Sequence, residues 1–152
     1  MPEPLAAQLD ALAVAVSALL VCAQRCGSVV VITNAETNWV QLSCQKFMPR
    51  LWPTVSALRV VSARSTFEAL HPDSPSDWKV QAFFQEICTA YSGTRPNDRK
   101  NILSFGDSVH ERAAVHRVTS NMGPHTRTKS IKFVERPSVE QLYCATGKPD
   151  AL

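Results

Sequence analysis

The stretch Asn101-Ile-Leu-Ser-Phe-Gly-Asp-Ser-Val-His-Glu-Arg112 constrains this chain more than any other. Its apolar run breaks at Gly106, an acid follows at once, and Glu111 comes four residues after Asp107. Apolar residues ending in Gly-Asp read as a buried strand that delivers a carboxylate to the rim of a sheet. In open α/β sheets that rim is where ligands bind. A helix beginning near Ser108 sets Asp107 and Glu111 about one turn apart on one face. Two hard oxygen donors so placed suit Mg²⁺, which takes a few carboxylates and keeps waters. The same residues also read without a ligand, with Asp107 as helix N-cap and Glu111 as a solvated first-turn acid.

The rest of the chain alternates in the same way. A helix is expected from Pro4 to Gln24, stopped near Gly27, then a short β-branched strand from Val29 to Ile32. A helix from Glu36 to Met48 follows, ended by Pro49 and Pro53, and a second strand covers Leu58 to Val61. Two prolines make 64–77 a loop, too short for a large cap domain. A long helix runs from Trp78 to Tyr91, the third strand from Ile102 to Phe105, and a helix from Ser108 to Val118. The fourth strand spans Ser130 to Val134 and a last helix Ser138 to Cys144. Strands alternating with helices imply an α/β fold with a mainly parallel sheet. A single domain over 1–152 is expected, with a flexible tail from 145 to 152.

Composition narrows the function classes. Hydrophobic content of 45% and charged content of 19% describe a folded soluble protein. The net charge of +3 is unevenly placed: no acid occurs from Arg112 to Val134, while Arg112, Arg117, Arg127, Lys129 and Lys132 are basic. That stretch reads as a solvated face or as a rim that attracts phosphate-bearing ligands. Aromatic residues are not interleaved with these bases as stacking needs, so no nucleic-acid partner is expected. The five cysteines, 22, 26, 44, 88 and 144, are odd in number, form no C-x-x-C pair and sit in apolar segments. Neither zinc nor disulfides are indicated, and an intracellular, reducing, cytoplasmic setting follows. The apolar run from Ala11 to Ala23 is too short to span a bilayer. The residues before it carry Glu3 and Asp10 without Lys or Arg, unlike a signal peptide. A buried helix is expected there, and no membrane partner. His71, His110, His116 and His125 lack metal-ligand spacing and read as surface residues.

Thr33 ends the first strand, Lys79 opens the long helix, and Asp107 with Glu111 follows the third strand. In this order they resemble the second, third and fourth motifs of the haloacid dehalogenase-like (HAD-like) hydrolases. The resemblance runs from Val29 to Leu142. It is closest to a eukaryotic branch through Val-Ile-Thr-Asn-Ala-Glu around residue 33, Ser-Phe-Gly-Asp-Ser-Val-His-Glu-Arg around 107 and Ser-Ile-Lys-Phe-Val-Glu-Arg-Pro at 130–137. It implies a three-layer Rossmann-like domain and a Mg²⁺-dependent phosphohydrolase acting on a small phosphomonoester. Thr33, with Asn34 beside it, would bind phosphoryl oxygens, and Lys79 would neutralise their charge. Asp107, supported by Glu111, would hold the Mg²⁺. Read without the family, Thr33 satisfies a backbone group in a turn and Lys79 is a solvated helix residue.

One family feature is missing. HAD-like enzymes begin with a strand ending in Asp-x-Asp, whose first carboxylate attacks phosphorus. Only Asp10 precedes the first strand here, inside a helical Ala/Leu pattern. The absent strand is the centre of the family's sheet, between the strands ending at Thr33 and Asp107, so a gap in the sheet and an inactive site are expected. Such a chain is a fragment or a pseudoenzyme; the other reading is a non-catalytic phosphate-binding or interaction module. Phe-Gly-Asp-Ser at 105–108 also looks like the GDSL lipase signature with Ser108 as nucleophile. No Asp-x-x-His pair follows it, so that triad cannot be assembled.

Overall fold

The computed structural model describes residues 3–146. It is a mixed α/β protein with a helix before, between and after four strands. Helix α1 spans Glu3–Cys26, β1 Val30–Thr33, α2 Trp39–Phe47, α3 Trp52–Ser56 and β2 Arg59–Ser62. Then come α4 (Ala63–Phe67), α5 (Pro75–Tyr91), β3 (Lys100–Gly106), α6 (Val109–Thr119), β4 (Thr126–Lys132) and α7 (Val139–Ala145). The tail expected from 145 therefore begins on the last residue of α7, and beyond 146 it lies outside the described residues.

Most elements overlap the expected ones, but β4 runs Thr126–Lys132 rather than 130–134, and α5 begins at Pro75 rather than Trp78, Pro75 standing in its first turn. The prolines at 49 and 53, expected only to stop a helix, each open a new one. Pro49 starts a 3₁₀ turn through Leu51, and Pro53 sits in the first turn of α3. Proline lacks only an N–H that a helix's first turn leaves unpaired anyway. Helix α2 starts later than Glu36, after Asn38 takes a left-handed φ of 69°. The expected 64–77 loop contains α4, because Ser62 ends β2 and caps the next turn by accepting from the Ser65 N–H at 3.0 Å.

The strands do not form one sheet. Among the described residues β1 pairs with β2, and β3 with β4, in two separate two-stranded ladders. The β3–β4 pair is parallel, from Lys100 opposite Thr126 to Gly106 opposite Lys132. The expected sheet lacks its central strand between the strands ending at Thr33 and Asp107, and the strands here form two ladders with no pairing between β1 and β3 among the described residues.

The chain divides into two compact units. The first takes residues up to Val31, Thr37–Val60 and the chain from Arg136. Its core joins Ala13 of α1 to Cys44, Leu51 and Val55. Ser17 and Thr54 share a hydroxyl hydrogen bond of 2.7 Å across that packing. At 24 residues α1 is longer than the apolar run that predicts it, and by length and composition alone it suffices to cross a membrane. The buried helix expected here is mostly not buried: Leu12, Ala13 and Ala15 are, while Leu5, Val14, Leu19 and Val21 are exposed.

The second unit, Ile32–Glu36 with Val61–Glu135, holds the candidate site. Helix α5 serves two clusters through residues one or more turns apart. Trp78 and Ala82 pack with Ala63, Ile32, Val61 and Phe67. Further along, Ile87 and Phe83 pack with Ile102 of β3 and the fully buried Val115 of α6. In β3 the alternation is strict: Lys100, Ile102 and Ser104 are buried while Asn101, Leu103 and Phe105 are exposed.

Candidate active site

Thr33, Asn34, Lys79, Asp107 and Glu111, singled out from three distant segments, all line one cavity of about 370 Å³ in the second unit. Three junctions build it: the turn after β1, the first turns of α5, and the passage from β3 into α6.

At the β3–α6 junction Ser108, not Asp107, is the N-cap. Its hydroxyl accepts from the His110 N–H at 3.1 Å, and the Ser108 N–H donates to Glu111 Oε2 at 3.1 Å. This capping box satisfies two otherwise orphaned donors reciprocally. The Ser108 hydroxyl also donates to Glu111 Oε2. A hydroxyl so engaged is a cap rather than the nucleophile of a lipase motif. Gly106 makes the arrangement possible through space rather than φ. A Cβ there would lie 2.7 Å from Glu111 Cγ, closer than such atoms approach.

Glu111 is therefore not a solvated acid. Its other oxygen, Oε1, is 2.9 Å from Lys79 Nζ, and the two side chains are only 16% and 5% exposed. Burial pushes the carboxyl pKa up, but the Ser108 hydrogen bond and the Lys79 ammonium outweigh it and bring the value down to about 2. Lys79, expected at the surface on a helix-only reading, is among the most buried residues of the chain. It also donates to the Ile32 carbonyl at 3.3 Å. Two of its three ammonium protons are thus committed, leaving one for a ligand.

The turn after β1 is held from both sides. Thr33 Oγ1 accepts from the Ala35 N–H at 3.0 Å, which leaves its own proton to donate. Ser62 Oγ donates to the Ala35 carbonyl at 2.6 Å, and Asn34 Nδ2 donates to the Pro75 carbonyl at 3.0 Å. Asn34 Oδ1 is buried with no hydrogen-bond partner among the described residues.

His110 is exposed, as read from sequence, and also lines the cavity, with its Nδ1 2.9 Å from Ser76 Oγ. Only the offset from Ser108 to the first turn of α6 pointed to it. Gly106, as the residue that admits Glu111, had no sequence signal beyond ending the strand.

The cavity's charge decides what it accepts. The cavity wall holds one lysine, Lys79, and two carboxylates, Asp107 and Glu111, so its acids outnumber its lysine. A phosphate entering alone meets repulsion; with a divalent cation the balance turns positive. Among the described residues no group of three or more His, Cys, Asp and Glu side chains gathers as a metal cage. The oxygen set here is Asp107, which is exposed, the engaged carboxylate of Glu111 and the orphaned Asn34 Oδ1. That set fits Mg²⁺, which keeps waters and shares phosphate oxygens, better than Zn²⁺, which takes three or four side chains. Compared with known proteins, the chain matches no family model, no curated protein and no solved structure.

Proposed function

We propose that the second unit is a HAD-like phosphate cradle that binds a small phosphomonoester together with Mg²⁺ and, as this chain stands, does not hydrolyse it. The observation that carries the reading is the convergence of Thr33, Lys79 and Asp107 on one cavity, in the roles their order in the chain suggests. Thr33 donates its hydroxyl proton, and Lys79 offers its remaining ammonium proton and its charge to the phosphoryl oxygens. Asp107 is the cavity's uncommitted carboxylate and holds the cation, which supplies Lewis-acid neutralisation of the phosphate. Glu111 acts through Lys79, holding its ammonium in place across a 2.9 Å ion pair. On this reading the two ladders are flanks of an open, three-layer Rossmann-like sheet.

Turnover needs a nucleophile, and the cavity's two carboxylates are assigned otherwise: Asp107 to the cation, Glu111 to Lys79. The same inventory favours a second reading, a phosphate-responsive module without catalytic function. Thermal unfolding in inorganic phosphate with and without Mg²⁺ tests the cradle. Stabilisation that needs both and is lost in Lys79→Ala supports it; no shift in the wild type refutes it. Hydrolysis of an aryl phosphate should not exceed that of Lys79→Ala. Turnover abolished by Asp107→Asn would show that a nucleophile is present after all.

A further inference from the structure

The face of the β3–β4 ladder opposite Ile102 and Ser104 is uncovered. Leu103 is 55% exposed, Phe105 47% and Ile131 45%. The parallel register sets Leu103 beside Lys129 and Phe105 beside Ile131, so alternate residues of both strands share this face. Arg127 and Lys129 are exposed there and have no ion-pair partner among the described residues. Phe133 stacks on Phe105 with ring centroids 6.3 Å apart and planes 28° from parallel. The exposed Phe105 ring, the half-buried Phe133 ring, aliphatic neighbours and unpaired cations thus lie on one surface without an acid among those six residues.

The edge of β3 adds backbone groups. The Lys100 N–H and the Gly106 carbonyl bond toward β4, so by alternation the groups of Asn101, Leu103 and Phe105 turn away from it. The Tyr91 hydroxyl takes the Asn101 carbonyl at 2.8 Å. Among the described residues no strand pairs with this edge, which leaves the Leu103 and Phe105 groups for a ligand.

We propose that this face binds single-stranded nucleic acid, with bases stacked on Phe105 and Phe133 and backbone phosphates on Arg127 and Lys129. The positive charge selects a polyanion, and the rings select one with accessible aromatic faces, which a duplex buries. The sequence separates Phe105 from the basic residues by more than twenty positions; the ladder brings it to one face with them, Arg127 and Lys129 leading along that face to Phe105 and Phe133. Phe105 also lines the cavity of the phosphate cradle, so the two surfaces adjoin there, whereas Phe133, Arg127 and Lys129 are not in the cavity wall.

The test is fluorescence anisotropy of the full chain with a labelled oligothymidylate of about 12 nucleotides. Two phosphate contacts predict that affinity falls about sevenfold between 50 and 200 mM salt. Phe133→Ala should weaken binding at least about fivefold, as loss of one stacked base does. An Arg127→Gln/Lys129→Gln double variant changes only exposed side chains and should flatten the salt dependence; it keeps the test decisive if Phe133→Ala fails to fold. Unlabelled duplex should compete poorly. The proposal is overturned by absence of binding at 50 mM salt or by wild-type affinity in the folded Phe133→Ala protein. Equal competition by duplex, or preference for phosphatidylserine vesicles over the oligonucleotide, overturns it as well.

Discussion

Replacing Glu111 by Gln separates the ion pair from the helix cap, because Gln at the third helical position still reaches back to the Ser108 N–H. What is lost is the negative charge 2.9 Å from a lysine that is 5% exposed in its side chain. The carboxyl pKa falls from 4.5 to about 2 in the folded protein, and at roughly 1.4 kcal/mol per unit this corresponds to roughly 3 kcal/mol. Little of that is screened away, since both side chains are well buried. The folded value lies below the unfolded one, so the contribution is complete above about pH 4.5 and disappears as the pH falls toward 2. We expect Glu111→Gln to lower the unfolding free energy by about 2–3 kcal/mol at pH 7, from loss of the charge that compensates a buried ammonium. The gap to wild type should close between pH 4.5 and 2. Urea unfolding followed by far-UV circular dichroism across that range measures the difference curve. A variant within about 1 kcal/mol of wild type at pH 7, or a gap that stays constant with pH, would refute the reasoning.

Two further outcomes follow from the geometry. Gly106→Ala drives a Cβ to 2.7 Å from Glu111 Cγ, so it should destabilise by about 1–3 kcal/mol in urea unfolding and weaken any Mg²⁺-phosphate stabilisation by displacing Glu111 from Lys79. Among the cysteines, Cys44 is buried and its thiol pKa is raised by burial, whereas Cys22, Cys26, Cys88 and Cys144 are exposed. A thiol reagent should titrate four groups quickly and the fifth only as the protein unfolds; five fast groups would contradict the packing around Cys44.

What the amino-acid sequence determined by itself is the order of the longer helices and the four strands among the described residues, and several of their ends, because those signals act over a few residues. Gly27 stops α1, the Ser108–Glu111 and Ser138–Gln141 boxes start α6 and α7, and the Ile102–Phe105 run turns at Gly106. Helices α3 and α4 are not evident in the sequence because prolines argue for a stop at 49–53 and for a loop over 64–77, although a first-turn proline and a serine cap also begin helices. The candidate residues were legible for the same reason: each stands at the end of a strand or the start of a helix. Tertiary structure alone decided their roles. Lys79 and Glu111 lie 32 residues apart in the chain, and only packing shows that they bury and neutralise each other, leaving Asp107 as the exposed carboxylate. It also divided the four strands into two ladders and set Phe105 beside Phe133 on a basic face. Register and burial join residues distant in sequence, and no local pattern encodes which distant partner a side chain will meet.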